Sequence, residues 1–110
     1  MTLSAGILLA VLSIWDYPAR QATHERLRAE FVQAVRQGDY GKMATVSRQG
    51  VQLLPDDPTW HYNLACALAY REQGGLALTE LEKAIHFGFR DADAIAKDQD
   101  FARISTLPRF

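Results

Sequence analysis

The stretch from Asp57 to Gly88, DPTWHYNLACALAYREQGGLALTELEKAIHFG, leaves few folds open to this chain. Asp57 can accept a bond from an orphan amide at a helix start, and Pro58 gives up only an N–H that would be unpaired there. Trp60, Leu64, Ala67, Leu68 and Arg71 then recur at spacings of three and four, with Thr59, Asn63 and Glu72 off the stripe. Gln73-Gly74-Gly75 breaks the run. A second stripe follows through Leu78, Leu81, Ala84 and Ile85, and Gly88 supplies the left-handed position that commonly ends a helix. The pattern predicts a helical hairpin.

The residues upstream predict a second hairpin. PARQATHERLRAEFVQAVRQ, from Pro18 to Gln37, reads as one helix with Leu27, Phe31, Ala34 and Val35 on its apolar face. Gly38-Asp39-Tyr40 turns the chain. Met43, Val46, Gly50, Val51, Leu53 and Leu54 carry a further helix to Pro55.

Taken from Pro58 as the start of a unit of about 34 residues, the small and large residues Leu64, Ala65, Ala77, Leu81 and Ala84 resemble the packing positions of a tetratricopeptide repeat. Alanines at 65, 77 and 84 let two helices approach closely, where bulky side chains would push the axes apart. One unit earlier the register starts at His24, with Gly38-Asp39-Tyr40 at the turn and Pro55 closing the unit. There Phe31 and Met43 replace the first two small residues and Gly50 the third, so this hairpin is expected to be splayed wider or held by a different contact. The resemblance implies an all-α solenoid of two antiparallel hairpins, with repeat one at 24–57, repeat two at 58–91 and a capping tail at 92–110. In that tail Asp91 and Asp98 are candidate caps for short helices near 92–97 and 99–105. Its Gly88-Phe89-x-Asp91, Asp98-x-Asp100-Phe101 and Pro108-x-Phe110 resemble a segment that often follows a terminal unit in bacterial proteins, where the chain usually continues.

Residues 1–17 stand apart from the helical domain expected over 18–110. Met1 to Trp15, MTLSAGILLAVLSIW, carries no charged side chain. As a helix, Leu3 to Trp15 would reach only about 20 Å, against a bilayer core of about 30 Å. The length suits a secretory signal, yet no Lys or Arg precedes it and no small-x-small site follows. Arg20, Arg26 and Arg28 after it argue against export. A signal, a membrane anchor through residues 1–15, and a helix packed on the repeats remain open, and an exported or anchored chain facing the periplasm is favoured over a cytoplasmic one.

Charge and composition exclude several classes. Twelve basic residues against thirteen acids give a net charge of −1, without the basic excess that nucleic-acid binding normally leaves. Cys66 is the only cysteine, so no internal disulfide forms; its expected role is that of a small packing residue. His24, His61 and His86 fall on three different helices without a ligand pair, and His61 and His86 are expected at the surface. The aspartates at 91, 93, 98 and 100 lack the Gly and distal Glu of a calcium loop. No phosphate loop, nucleophile elbow or HExxH is present, and no cofactor is expected.

What the resemblance implies instead is a concave groove. The positions facing it are Glu25, Arg28, Ala29, Val32, Val35 and Arg36 in the first unit and Thr59, Tyr62, Asn63, Cys66, Ala69 and Tyr70 in the second. Arg28, Val32, Arg36, Tyr62, Asn63, Cys66 and Tyr70 are the candidate contacts for a protein or peptide partner, held through its backbone and any acidic group. The expected function is that of an adaptor without catalysis. The alternatives are an accessory segment of a larger exported enzyme continuing beyond residue 110, and a membrane-tethered spacer.

Overall fold

The computed structural model describes residues 5–71 and 73–90, with side chains from residue 18 onward. Those residues form four helices and no strand: α1 (Ala5–Gln37), α2 (Tyr40–Leu53), α3 (Pro58–Tyr70) and α4 (Gly74–His86). The expected tail helices near 92–97 and 99–105 lie outside the described residues.

The helix ends follow local chemistry. Asp57 accepts from the Thr59 N–H at 2.8 Å, and Asp39 accepts from the Lys42 N–H at 3.0 Å, so α3 and α2 each begin on a carboxylate cap. The exits of α1 and α4 share one arrangement. Gly38, at φ 65°, donates to the Val35 carbonyl at 3.1 Å while Asp39 donates to Ala34 at 2.9 Å; Gly88, at φ 128°, donates to Ile85 at 3.2 Å while Phe89 donates to Ala84 at 2.9 Å. Each left-handed glycine lets two orphan carbonyls find donors.

Two boundaries differ from expectation. The helix expected to start at Pro18 starts at Ala5, with Pro18 inside it. Proline forfeits one backbone bond there, and thirteen residues earlier than expected the chain is already helical. The glycines at 74 and 75 form the first turn of α4 rather than the turn between helices. First-turn amides have no intrahelical partner in any case, so the break falls at Arg71 to Gln73, where Gln73 donates to Leu68 at 2.9 Å.

Each helix packs on the next in order, and α3 is the central one. Trp60, His61 and every residue from Leu64 to Ala69 are buried. On α4 the buried residues are Ala77, Leu78, Leu81 and Ala84, and the alanines at 65, 77 and 84 are wholly enclosed. A second cluster joins Leu27, Val46 and Trp60, with Phe31, Val51, Leu53 and Leu54 against it. The first hairpin is held by a different contact from the second. Phe31 turns edge-on to Trp60 of α3, ring centroids 6.1 Å apart, while Gly50 leaves the indole room to lie against α2.

Three expectations about burial need correction. His61 is buried, 3% exposed, rather than at the surface. Its Nε2 donates to the Pro55 carbonyl at 2.6 Å, its Nδ1 is hydrogen-bonded to a Glu80 carboxylate oxygen at 2.7 Å, and its ring stacks on Phe87. A polar ring is stable inside when both nitrogens are satisfied. Val35 and Ile85, assigned to apolar faces, are 50% and 43% exposed; among the described residues no helix covers that side of α1 or α4. His86 is exposed, as expected.

Candidate functional site

The helix order leaves an opening between α1 and α3. Both pack on α2, but no Cα of one comes within 8 Å of the other. Side chains bridge the gap at its floor: His24 and Phe31 each meet the Trp60 ring edge-on, at 5.8 and 6.1 Å. Above that floor lies a cleft of about 380 Å³ lined by His24, Arg28, Phe31, Val32, Asp57, Thr59, Trp60 and Asn63.

Arg28, Val32 and Asn63 of the expected contacts come together here, with Thr59 beside them. A more open depression of about 480 Å³ continues along α1 past Glu25, Arg28, Ala29, Val32, Gln33 and Arg36. Arg28 and Val32 belong to both, so one surface runs from His24 to Arg36. The remaining expected contacts lie elsewhere. Cys66 is only 4% exposed, within the main core. Tyr62 stacks on Phe89 at 4.5 Å, and Tyr70 stacks on Tyr40 at 4.2 Å with ring planes 6° apart. Both tyrosine rings are thus turned to packing, one at the exit of α4 and one at the turn between α1 and α2.

The cleft brings polar and apolar groups together. Arg28 and Arg36 make no ion pair among the described residues, whereas Arg26 is paired with Glu30 at 2.9 Å. A free guanidinium offers a donor fork to a carboxylate or carbonyl oxygen, and Asn63 offers both a donor and an acceptor, as a peptide backbone requires. Val32, 48% exposed, adds an apolar shelf. The Asp57 carboxylate is engaged at one oxygen by its own helix cap. Among the described residues no group of three His, Cys, Asp or Glu is placed to hold a metal ion. The Ser47 hydroxyl is buried without a hydrogen-bond partner among the described residues.

Four lining residues were absent from the expected groove-facing positions: His24, Phe31, Asp57 and Trp60. Only His24 had a legible signal, since it stands one helical turn before Arg28 and therefore on the same face. Compared with protein-family models, with curated proteins and with solved structures, the chain matches none.

Proposed function

We propose that the two hairpins are successive tetratricopeptide-type units and that the chain is a peptide-binding adaptor module without catalysis of its own. An extended segment of a partner protein lies along α1 and fills the cleft against α3. The observation that carries this reading is the convergence of the free Arg28 guanidinium, Asn63, Thr59 and the Val32 shelf on one opening of about 380 Å³. Arg28 and Asn63 hold the segment's backbone and an acidic group on it, and Val32 takes an apolar side chain.

The test is site-specific photocrosslinking in the native host. A photoreactive residue at Val32 is expected to capture a protein partner that the same residue at exposed Arg48 on α2 does not. A synthetic peptide from that partner should then bind the chain, and Arg28→Ala with Asn63→Ala should weaken it at least tenfold. Equal capture from both positions, or unchanged peptide affinity in the double variant, refutes the cleft as the site.

A further inference from the structure

The helix that forms one wall of the cleft has two halves of opposite character. From Thr23 onward α1 packs on α2 through Leu27, Phe31 and Ala34; from Pro18 to Ala22 every residue is exposed. Among the residues whose side chains are described, the packed face of α1 therefore begins only at Thr23. α2 is 14 residues long and α1 is 33, about 21 Å against about 50 Å at 1.5 Å per residue. Among the described residues α2 is the only helix packed on α1, and its far end, at Leu54, already lies opposite Arg20 to His24.

The first part of the helix reads AGILLAVLSIW from Ala5 to Trp15. It has no charge and no polar face, so it requires apolar surroundings on every side. Water does not provide them, and a second copy of the helix would cover a single stripe. Hydrocarbon covers all of it. The boundary has the order that a lipid interface selects: the aromatic residues Trp15 and Tyr17 around Asp16, then Arg20 one to two turns further on. We infer that Ala5–Trp15 inserts into the hydrocarbon of a lipid bilayer. At about 17 Å against a core of about 30 Å it enters without crossing, and no described helix is long and apolar enough to cross.

Because α1 runs unbroken from Ala5 to Gln37, insertion also places the cleft. Arg28 stands about 20 Å along the axis from Trp15, so the cleft opens at a set height above the lipid. This placement rests on the peptide-binding reading; insertion itself does not.

The two tryptophans allow a direct test, because Trp60 is 2% exposed in the core and Trp15 lies at the proposed interface. The full chain is synthesised with vesicles of phosphatidylcholine and a minority of phosphatidylglycerol, then floated on a density gradient, and tryptophan emission is read with acyl-brominated lipid. The wild type is expected to float and to be quenched, whereas Trp15→Phe floats with its remaining emission unquenched. Leu8→Asp with Leu12→Asp should lower partitioning about a hundredfold while the helical unfolding transition persists. Three results overturn insertion: a wild type that stays with the soluble fraction, a double-aspartate variant that floats as well, or an oligomer in which bromolipid leaves Trp15 unquenched. Loss of insertion would leave crosslinking at Val32 to be judged on its own.

Discussion

A Cβ on Gly50 would stand 2.1 Å from Cδ2 of Trp60 and within 2.6 Å of two further indole carbons. α2 and α3 therefore approach across a position where only hydrogen fits, and the indole that fills the space also forms the floor of the cleft. Gly50→Ala is expected to destabilise the chain by about 1–3 kcal/mol, since the ring and the helix behind it must both move. Thermal unfolding measures this. Trp60→Phe in the same chain should remove most of the clash, so the double variant should be more stable than the sum of the single losses predicts.

His61 and Glu80 tie α3 to α4, and the Pro55 carbonyl ties the same ring to the end of the first hairpin. His61→Phe keeps an aromatic ring against Phe87 but removes the hydrogen bonds to the Pro55 carbonyl and to Glu80, which keeps only Lys83 among the described residues. The expected loss is about 2–4 kcal/mol. In a double-mutant cycle with Glu80→Ala the coupling should be about 1–3 kcal/mol by denaturant unfolding; additivity would show that the contact contributes nothing.

Ser47 presents the opposite case. Its hydroxyl is enclosed on α2 without a partner among the described residues, so Ser47→Ala removes an unsatisfied group and adds helix propensity. A gain of about 1 kcal/mol in unfolding free energy is expected. A loss of that size would contradict the assignment.

Tyr62 and Arg28 separate packing from recognition. Tyr62→Ala gives up the stack on Phe89 and should lower stability by about 1–3 kcal/mol, with little direct effect on partner affinity. Arg28→Ala touches an exposed side chain and should change stability by less than about 0.5 kcal/mol while weakening the partner. Parallel melting curves and peptide titrations of the two variants distinguish these outcomes.

Much of the helix plan was legible because its determinants act within a few residues. Asp57 and Pro58 start α3, Asp39 starts α2, and Gly38 and Gly88 end α1 and α4, as local capping chemistry dictates. The cleft was legible in part: spacing put Arg28 and Val32 on one face of α1 and Asn63 on α3. Spacing did not disclose that Tyr62 and Tyr70 would turn to Phe89 and Tyr40, since both partners come from other elements.

The sequence by itself determined the number of hairpin helices, their caps and the small residues at their crossings, because these depend on neighbours along the chain. Tertiary structure decided which faces are covered. It enclosed Cys66 and His61, left Val35 and Ile85 open, and carried α1 beyond the end of α2. It also held α1 and α3 apart over the Trp60 ring. The physical reason is that burial is set by what lies opposite a side chain, and the helix that lies opposite is chosen by the packing of the whole.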